Sequence, residues 1–285
     1  MYKLYNGDCL EIMDRLIEEG VKVDLTITSP PYDDMRNYKK TLVWDFDIFK
    51  QVANKLYEIT KEGGIVVWIV GDKTVKGSES GTSFKQALYF KEIGFNLHDT
   101  MIYHKNMLSF PEKTRYYQCF EYMFVLSKGK PKTINLIQDK KNSQFNSKVS
   151  GGYRDIDGSI KQKSGNKKNK TIKEYGIRTN IWKYEVGYNK STKDKNAYRH
   201  PAIFPEKLAQ DHILSWSNKN DLVLDCFMGS GTTGKMCKLL NRDFIGIEIS
   251  KEYYEIAKER IDNTNIQMSL LKEEEINGFE IRKIN

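Results

Sequence analysis

The chain alternates short apolar runs with longer stretches in which apolar residues recur every three or four positions. Apolar runs rich in Val, Ile and Phe are typical of buried strands, and the longer period is typical of amphipathic helices. Strands are therefore predicted at 23–28, 65–70, 122–127, 222–227 and 244–249. Helices are predicted at about 8–19, 47–61, 83–93, 205–217, 232–240 and 251–262. Buried strands that alternate with helices predict an α/β fold, with a mostly parallel, Rossmann-like sheet covered by helices on both faces.

Residues 129–199 interrupt this alternation with long polar tracts such as KQKSGNKKNK at 161–170. Residues 130–199 contain 18 Lys and Arg and 6 Asp and Glu, a net charge of +12 in a chain whose total is +8, so the rest of the chain carries −4. Aromatic residues are interleaved with these lysines, as on a surface that meets phosphates and bases. A solvated, disordered insert is the alternative interpretation. We predict that 129–199 is a basic module that contacts nucleic acid, separate from a domain made of 1–128 and 200–285.

Composition and residue spacing argue against a membrane protein, a secreted protein, a disulfide-bonded protein and a metalloprotein. No apolar stretch approaches the roughly 18 residues that a membrane span needs, and the first residues lack the basic and then apolar pattern of a signal peptide. The four cysteines have no CxxC spacing and the four histidines form no HxxxH pair, so neither disulfides nor a metal site is expected. The sequence predicts a soluble, cytoplasmic protein that does not associate with a membrane.

A glycine-rich turn follows the predicted strand in DLVLDCFMGSGTTGKM at 221–236. The spacing G-x-G-x-x-G at 229–234 matches the dinucleotide fingerprint, and the same glycines with the next lysine form most of a P-loop. The P-loop interpretation fails because Met236 stands where a Ser or Thr hydroxyl should hold Mg²⁺. The dinucleotide interpretation gains from Glu248, an acid that ends the next strand and suits ribose hydroxyls. Its weakness is Asp225, whose carboxylate would repel a pyrophosphate.

A ligand that carries a cation suits Asp225 better. S-adenosylmethionine has a sulfonium and an ammonium group, a carboxylate that a helix N-terminus can hold, and a ribose diol for Glu248. A glycine-rich helix start that binds no ligand is the structural alternative.

The segment TITSPPYDDMRNY at 26–38 ends an apolar run on two prolines. A proline fixes its own φ, donates no N–H and pushes its predecessor towards extended geometry. Ser29, Pro30 and Pro31 therefore form a rigid bend with free carbonyl oxygens. By itself, this bend is equally consistent with a turn that has no chemical role.

Together these segments carry a resemblance to a known family. DCFMGSGTTG followed by GIEIS resembles the cofactor-binding segment of the DNA amino-methyltransferases, and TSPPY resembles their catalytic segment. YNGDCLEIM at 5–13 resembles the segment that meets the adenine end of the cofactor, and HPAIFPEKLAQDHI at 200–213 the segment that closes over its methionine end. CFEYMFVLSKG at 119–129 resembles a strand beside the base pocket. The order of catalytic segment, basic region and cofactor loop resembles the permuted β group; glutamine methyltransferases place a similar NPPY segment after the glycine loop.

The resemblance implies an S-adenosylmethionine-dependent catalytic domain in 1–128 and 200–285, and a target-recognition region in 129–199. It implies double-stranded DNA as the substrate, and it leaves open a cognate restriction endonuclease and a homodimer as partners. The catalytic residues implied are Ser29, Pro30, Pro31 and Tyr32. The cofactor-binding residues implied are Asp8, Cys9, Leu10, Pro201, Phe204, Asp225, Phe227, Gly229, Ser230, Gly231, Thr232 and Glu248.

The chemistry expected of TSPPY is methylation of an exocyclic amine, whose lone pair is delocalised into the base. If Ser29 Oγ and the Pro30 carbonyl each accept one N–H, the nitrogen becomes more tetrahedral and its lone pair is freed for direct transfer. Tyr32 would stack on a base flipped out of the duplex. In similar enzymes a Ser at the first position is more frequent with cytosine N4 and an Asp with adenine N6. Cytosine N4 is therefore favoured, adenine N6 is the alternative, and an oxidoreductase or a non-catalytic DNA-binding protein are remote alternatives.

Overall fold

The structure, a computed structural model, describes residues 1–31, 44–106, 114–148, 152–162, 171–200 and 203–264. Its helices are α1 (Cys9–Glu18), α2 (Phe46–Ile59), α3 (Thr82–Glu92), α4 (Glu206–Trp216), α5 (Thr232–Leu239) and α6 (Lys251–Asp262), with a 3₁₀ helix at Lys195–Arg199. Its strands are β1 (Tyr2–Asn6), β2 (Val23–Thr28), β3 (Thr60–Val70), β4 (Thr74–Val75), β5 (Ser78–Glu79), β6 (Phe95–Lys105), β7 (Phe120–Lys128), β8 (Lys140–Lys141), β9 (Gly152–Arg154), β10 (Ile160–Gln162), β11 (Tyr175–Gly176), β12 (Ile181–Tyr184), β13 (Leu222–Asp225) and β14 (Asp243–Glu248).

Eight of these strands form one sheet in the order β1-β14-β13-β2-β3-β7-β6-β12. The strands β1, β14, β13, β2 and β3 are parallel neighbours, and β12 is parallel to β6. Only β7 runs against its neighbours, since it pairs antiparallel with both β3 and β6. The predicted α/β fold with a mostly parallel sheet is therefore confirmed.

The helices form two groups, as expected for a sheet that is covered on both faces. Helices α1, α2 and α3 pack in sequence against one another, and α4, α5 and α6 do the same. The first group encloses an aromatic core in which Phe49 packs edge-on against Trp68 and Phe90, with ring centroids 5.7 and 5.3 Å away. All three side chains are fully buried. Aromatic burial of this size is a main source of fold stability.

The chain divides into two compact units. Among the described residues, the larger consists of 1–135 and 180–264, and it contains the eight-stranded sheet. The smaller, Leu136–Thr179, contains two antiparallel strand pairs, β9 with β10 and β8 with β11. The assignment of 129–199 to DNA recognition stays a prediction, although β12, which lies within that range, belongs to the main sheet.

The predicted helices agree with the observed ones to within two residues at each end. Strand β3 begins five residues earlier than predicted, and the sequence prediction lacks β1, β6 and β12 of the main sheet as well as the six strands outside it. Among the described helices, none is long and apolar enough to cross a membrane.

Candidate active site

The carboxyl ends of four neighbouring strands carry the predicted site. Because β1, β14, β13 and β2 are parallel, their carboxyl ends lie at one edge of the sheet. Asp8 follows β1, Glu248 ends β14, Asp225 ends β13 and Ser29 follows β2. From β13 the chain continues to β14 on one side, and from β2 to β3 on the other. The crevice at such a switch in strand order is where ligands bind in open α/β sheets.

The rigid bend of Ser29, Pro30 and Pro31, the proposed catalytic corner, begins where β2 ends. Thr28, the last residue of β2, is fully buried, Ser29 is half-buried and Pro30 is buried. The two prolines end the strand because neither can donate a backbone N–H to continue the pairing. Tyr32 lies outside the described residues, so its predicted stacking role stays a prediction.

Asp225 is buried at the end of β13 and accepts three hydrogen bonds. Thr28 Oγ1 donates to its Oδ1 at 2.8 Å, Thr233 Oγ1 to its Oδ2 at 2.7 Å, and the Phe227 N–H to Oδ1 at 3.2 Å. Burial raises the pKa of Asp225 to about 6, although the three donors oppose that rise. The carboxylate is thus bound by protein donors on both oxygens, and direct contact with a cofactor cation stays a prediction.

The glycine loop after β13 approaches its neighbours too closely for side chains at two positions. Gly229 and Gly231 have φ values of +53° and +79°, in the left-handed region that favours glycine. A Cβ on Gly229 would lie 3.0 Å from His200 Nε2, and one on Gly231 would lie 2.9 Å from Ala257 Cβ. The loop then opens α5 at Thr232, and its N-cap Gly231 offers no side chain to cap the first N–H groups.

Glu248 holds the loop from the neighbouring strand. Its Oε2 accepts the Gly229 N–H and its Oε1 accepts the Ser250 N–H, both at 2.8 Å. Burial raises its pKa. Asn6 Nδ2 donates to the backbone oxygen of Glu248 at 2.8 Å and ties the end of β1 to the end of β14. Each carboxylate oxygen has a second lone pair, so the predicted bond to a ribose diol remains compatible with these contacts.

The residues predicted to meet adenine lie at the start of α1. Asp8 is the N-cap of that helix, and its Oδ1 accepts the N–H of Leu10 at 2.7 Å and of Glu11 at 3.4 Å. Burial, together with the nearby charge of Asp8, raises the pKa of the Cys9 thiol to about 12, so this thiol is neutral. Leu10 packs against the hydrophobic core. Their contacts with a cofactor stay predictions.

The segment before α4 lies partly against the same loop. His200 is buried, close to Gly229 as described above, and packs edge-on against Tyr253 with ring centroids 4.4 Å apart. Phe204 is half-buried, and Pro201 lies outside the described residues. Phe227 packs edge-on against Trp44 with ring centroids 5.3 Å apart.

Four charged side chains, those of Lys235, Arg260, Asp194 and Glu206, form an ion-pair cluster next to the glycine loop. Lys235 Nζ is 2.8 Å from both Asp194 Oδ2 and Glu206 Oε1. Arg260 Nε is 3.0 Å from Asp194 Oδ2, and its Nη2 is 3.1 Å from Glu206 Oε1. Arg260 also donates through Nη1 to the backbone oxygen and the hydroxyl of Ser230. Lys235, the lysine of the P-loop-like sequence, therefore forms ion pairs within the protein.

Sequence reasoning missed Thr28, Thr233, His200 and Arg260 as parts of this site. The first threonine of TSPPY and the second threonine of the glycine segment GSGTTG were the available signals for the first two. Arg260 gave no signal, because its hydrogen-bond partners lie 28 to 68 residues away along the chain.

The residues at this edge fit S-adenosylmethionine better than a dinucleotide. The uncapped N–H groups at the start of α5 suit one carboxylate, and Glu248 suits hydroxyl groups. The carboxylate of Asp225 beside the loop disfavours a pyrophosphate. This edge of a Rossmann-like sheet therefore favours the class of S-adenosylmethionine-dependent methyltransferases.

Within that class, the chain belongs to the DNA methylase family, whose N6 and N4 methyltransferase model matches residues 23–259. It is 59% identical over 265 residues to the orphan methyltransferase M.BamHII of Bacillus amyloliquefaciens, covering 92% of this chain and 96% of that protein. It is 30% identical to the type II methyltransferase M.HpaI of Haemophilus parainfluenzae, over 98% of this chain and 76% of that protein.

Solved structures are consistent with this family assignment. The complex of M1.HpyAVI with S-adenosylmethionine is 27% identical, with a TM-score of 0.58, over 92% of this chain and 100% of that one. The cytosine-N4-specific PvuII DNA methyltransferase has the same fold, with a TM-score of 0.64 at 21% identity, over 98% of this chain and 95% of that one. The predicted family, fold and cofactor are confirmed, and the oxidoreductase alternative is excluded.

Proposed function

We propose that this DNA methyltransferase modifies the exocyclic N4 amine of cytosine in a specific sequence of double-stranded DNA. The observation that supports the proposal is the position of the Ser29-Pro30 corner. It follows β2 directly, and β2 is the parallel neighbour of β13, which leads into the glycine loop. The corner and the cofactor loop therefore start from adjacent strand ends.

The Ser29-Pro30 corner contributes two hydrogen-bond acceptors in fixed positions. Ser29 Oγ and the Pro30 carbonyl oxygen would each accept one N–H of the amine, and the second proline keeps that carbonyl from turning away. When bound, S-adenosylmethionine supplies the electrophilic methyl group. Acceptors fixed in advance stabilise the positive charge that develops on the nitrogen without reorganising during the reaction.

The cofactor would be held along the same edge by the residues that the resemblance implies. Glu248 would accept from the ribose diol, and the start of α5 would hold the methionine carboxylate. Asp8 would meet the adenine end, and Pro201 and Phe204 would contact the methionine end.

The choice of cytosine rests on Ser29. A neutral hydroxyl accepts a hydrogen bond from the amine more weakly than a carboxylate does, and in the family a Ser at this position is more frequent in cytosine-N4 enzymes. Adenine N6 is the competing outcome, with the same mechanism.

The proposed partner is the DNA itself, contacted by the basic region 129–199. The relative from Bacillus amyloliquefaciens is named an orphan methyltransferase, which favours action without a cognate restriction endonuclease. A homodimer stays a prediction that sedimentation equilibrium would test.

The base can be named by one measurement. Duplex DNA is incubated with the purified protein and S-adenosylmethionine, digested to nucleosides and analysed by mass spectrometry. We expect N4-methylcytosine. N6-methyladenine would overturn the choice of base, and unmodified nucleosides across a library of sequences would overturn the proposed function.

Replacing Ser29 by alanine tests the corner. Ser29→Ala removes one of the two acceptors, so we expect kcat to fall about 100-fold, the loss typical of removing one preorganised hydrogen bond. The Kd for S-adenosylmethionine, measured by calorimetry, should change less than about twofold, because Ser29 is assigned to the base. Unchanged turnover would contradict the mechanism.

A further inference from the structure

A side-chain bridge connects the catalytic strand with the cofactor helix. Thr28 donates to Asp225 at 2.8 Å, and Thr233, the second residue of α5, donates to the other oxygen of Asp225 at 2.7 Å. All three residues are at most 1% exposed. The bridge thus joins the residue before Ser29 to the helix that the glycine loop opens.

The bridge begins where the backbone pairing of the two strands ends. The register between β2 and β13 covers Leu25 with Val223 and Thr26 with Leu224. Thr28 is paired along its backbone only with Trp68 of β3, among the described residues. Its side chain therefore supplies the link to β13 at the level of the catalytic corner.

Packing alone does not require a hydroxyl at this position. Valine has nearly the same shape as threonine and is at least as favourable in a buried strand. Thr26, two residues earlier, shows the contrast: its Oγ1 is buried and has no hydrogen-bond partner within the described residues. The Thr28 hydroxyl instead satisfies a buried carboxylate, which is costly to leave without donors.

We propose that Thr28 is a positioning residue for methyl transfer, which fixes the Ser29-Pro30 corner relative to the glycine loop through Asp225 and Thr233. The inference rests on the proposed function of that corner. A displacement of about 1 Å between reacting groups can lower a rate about 100-fold. Loss of the bridge should therefore slow the transfer more than it weakens cofactor binding.

The test compares Thr28→Val with the matched variant Thr26→Val. Single-turnover transfer of tritiated methyl groups into duplex DNA is measured at saturating cofactor and DNA, with calorimetry for the Kd of S-adenosylmethionine. Thr28→Val should be 10- to 100-fold slower, with a Kd changed less than threefold. Thr26→Val should keep the wild-type rate.

Rescue separates positioning from a general structural role. Thr28→Ser keeps the hydroxyl and should recover the rate to within about threefold of wild type. If Thr28→Val does not fold, Thr28→Cys, which offers only a weak thiol donor, replaces it in the comparison. A wild-type rate in the variant without the hydroxyl, or a serine variant as slow as it, would overturn the inference. If the wild-type protein transfers no methyl group to DNA, the proposed function fails and this inference fails with it.

Discussion

At the scale of single residues, the buried carboxylate of Asp225 makes the stability of the protein depend on pH. Ionising it costs free energy because it is fully buried, and hydrogen bonds from Thr28, Thr233 and Phe227 compensate only in part. Its pKa therefore rises from an ordinary value of 3.8 to about 6. The folded protein holds a proton there across a pH range in which the unfolded chain has lost it.

This difference predicts a pH-dependent effect of Asp225→Asn on stability. Between about pH 4 and pH 6 the folded state binds more protons at this residue, so its contribution to stability falls as the pH rises. The variant lacks that decline. Its unfolding free energy relative to wild type should rise by about 2–3 kcal/mol from pH 4 to pH 7, as measured by urea denaturation. Asp262→Asn, at an exposed position on α6, serves as the control and should show no such rise; a flat difference for Asp225→Asn would contradict the prediction.

Glu248 allows a second test at this scale. Both of its oxygens accept backbone N–H groups, from Gly229 and Ser250. Glu248→Gln has one acceptor oxygen and places an amide N–H₂ against a donor. We expect the Kd for S-adenosylmethionine to rise about tenfold in calorimetry, because the glycine loop and the proposed ribose contact are both disturbed. Glu252→Gln, four residues further along, should bind the cofactor as wild type does, and equal affinities for the two variants would count against the assignment.

At the scale of elements, the cluster of Lys235, Arg260, Asp194 and Glu206 ties α5 and α6 to the first residue of α4 and to the N-cap of the 3₁₀ helix. Hydrogen bonds from Lys235 and Arg260 lower the pKa of Asp194 although burial acts in the opposite direction. Arg260 is 5% exposed and is the member that also reaches the glycine loop. Removing it would leave two carboxylates short of a cation.

Arg260→Met is therefore expected to destabilise the protein by about 3 kcal/mol, the loss typical of breaking a buried ion pair by removing one partner. Chemical denaturation at pH 7 measures it. Lys258→Met removes an exposed pair with Asp262 on the same helix and should change the stability by less than about 0.5 kcal/mol. Similar effects of the two substitutions would show that the cluster contributes no more than a surface ion pair.

The elements also show where sequence reasoning stops. The helices and the inner strands β2, β13 and β14 were predicted because burial on both faces leaves a continuous apolar run. Strand β6 was missed because His98, Asp99 and Thr100 interrupt its apolar run. The motifs identified Ser29 and Asp225, but a hydrogen bond between residues 28 and 225 spans 197 positions and leaves no local pattern.

At the scale of the whole molecule, charge is divided unevenly along the chain. The net +12 of residues 130–199 contrasts with −4 for the remainder. A protein that neutralises phosphates releases counterions, so its DNA affinity falls with salt in proportion to the number of contacts. The salt dependence of binding can therefore locate the phosphate contacts without a structure of the complex.

Three exposed lysines of the smaller unit lie on one strand pair or directly beside it. Lys140 and Lys141 form β8, which pairs with β11, and the backbone oxygen of Lys173 accepts a hydrogen bond from the Asn142 side chain at 2.9 Å. If these three lysines contact DNA phosphates, replacing all three by glutamine should make the slope of log K against log [salt] less negative by about 2–3. Each phosphate contact contributes about 0.9 to that slope. Fluorescence anisotropy with labelled duplex DNA measures that slope.

The control for this prediction is a triple substitution in the larger unit, where Lys91, Lys219 and Lys251 are also exposed. Replacing these by glutamine removes the same total charge, so a general effect of net charge would alter both slopes equally. A local set of phosphate contacts alters only the first, while the Kd for S-adenosylmethionine stays at its wild-type value in both variants. Equal slopes in the two variants would therefore exclude the β8–β11 pair as the DNA-binding surface, even if the basic region as a whole still attracts DNA.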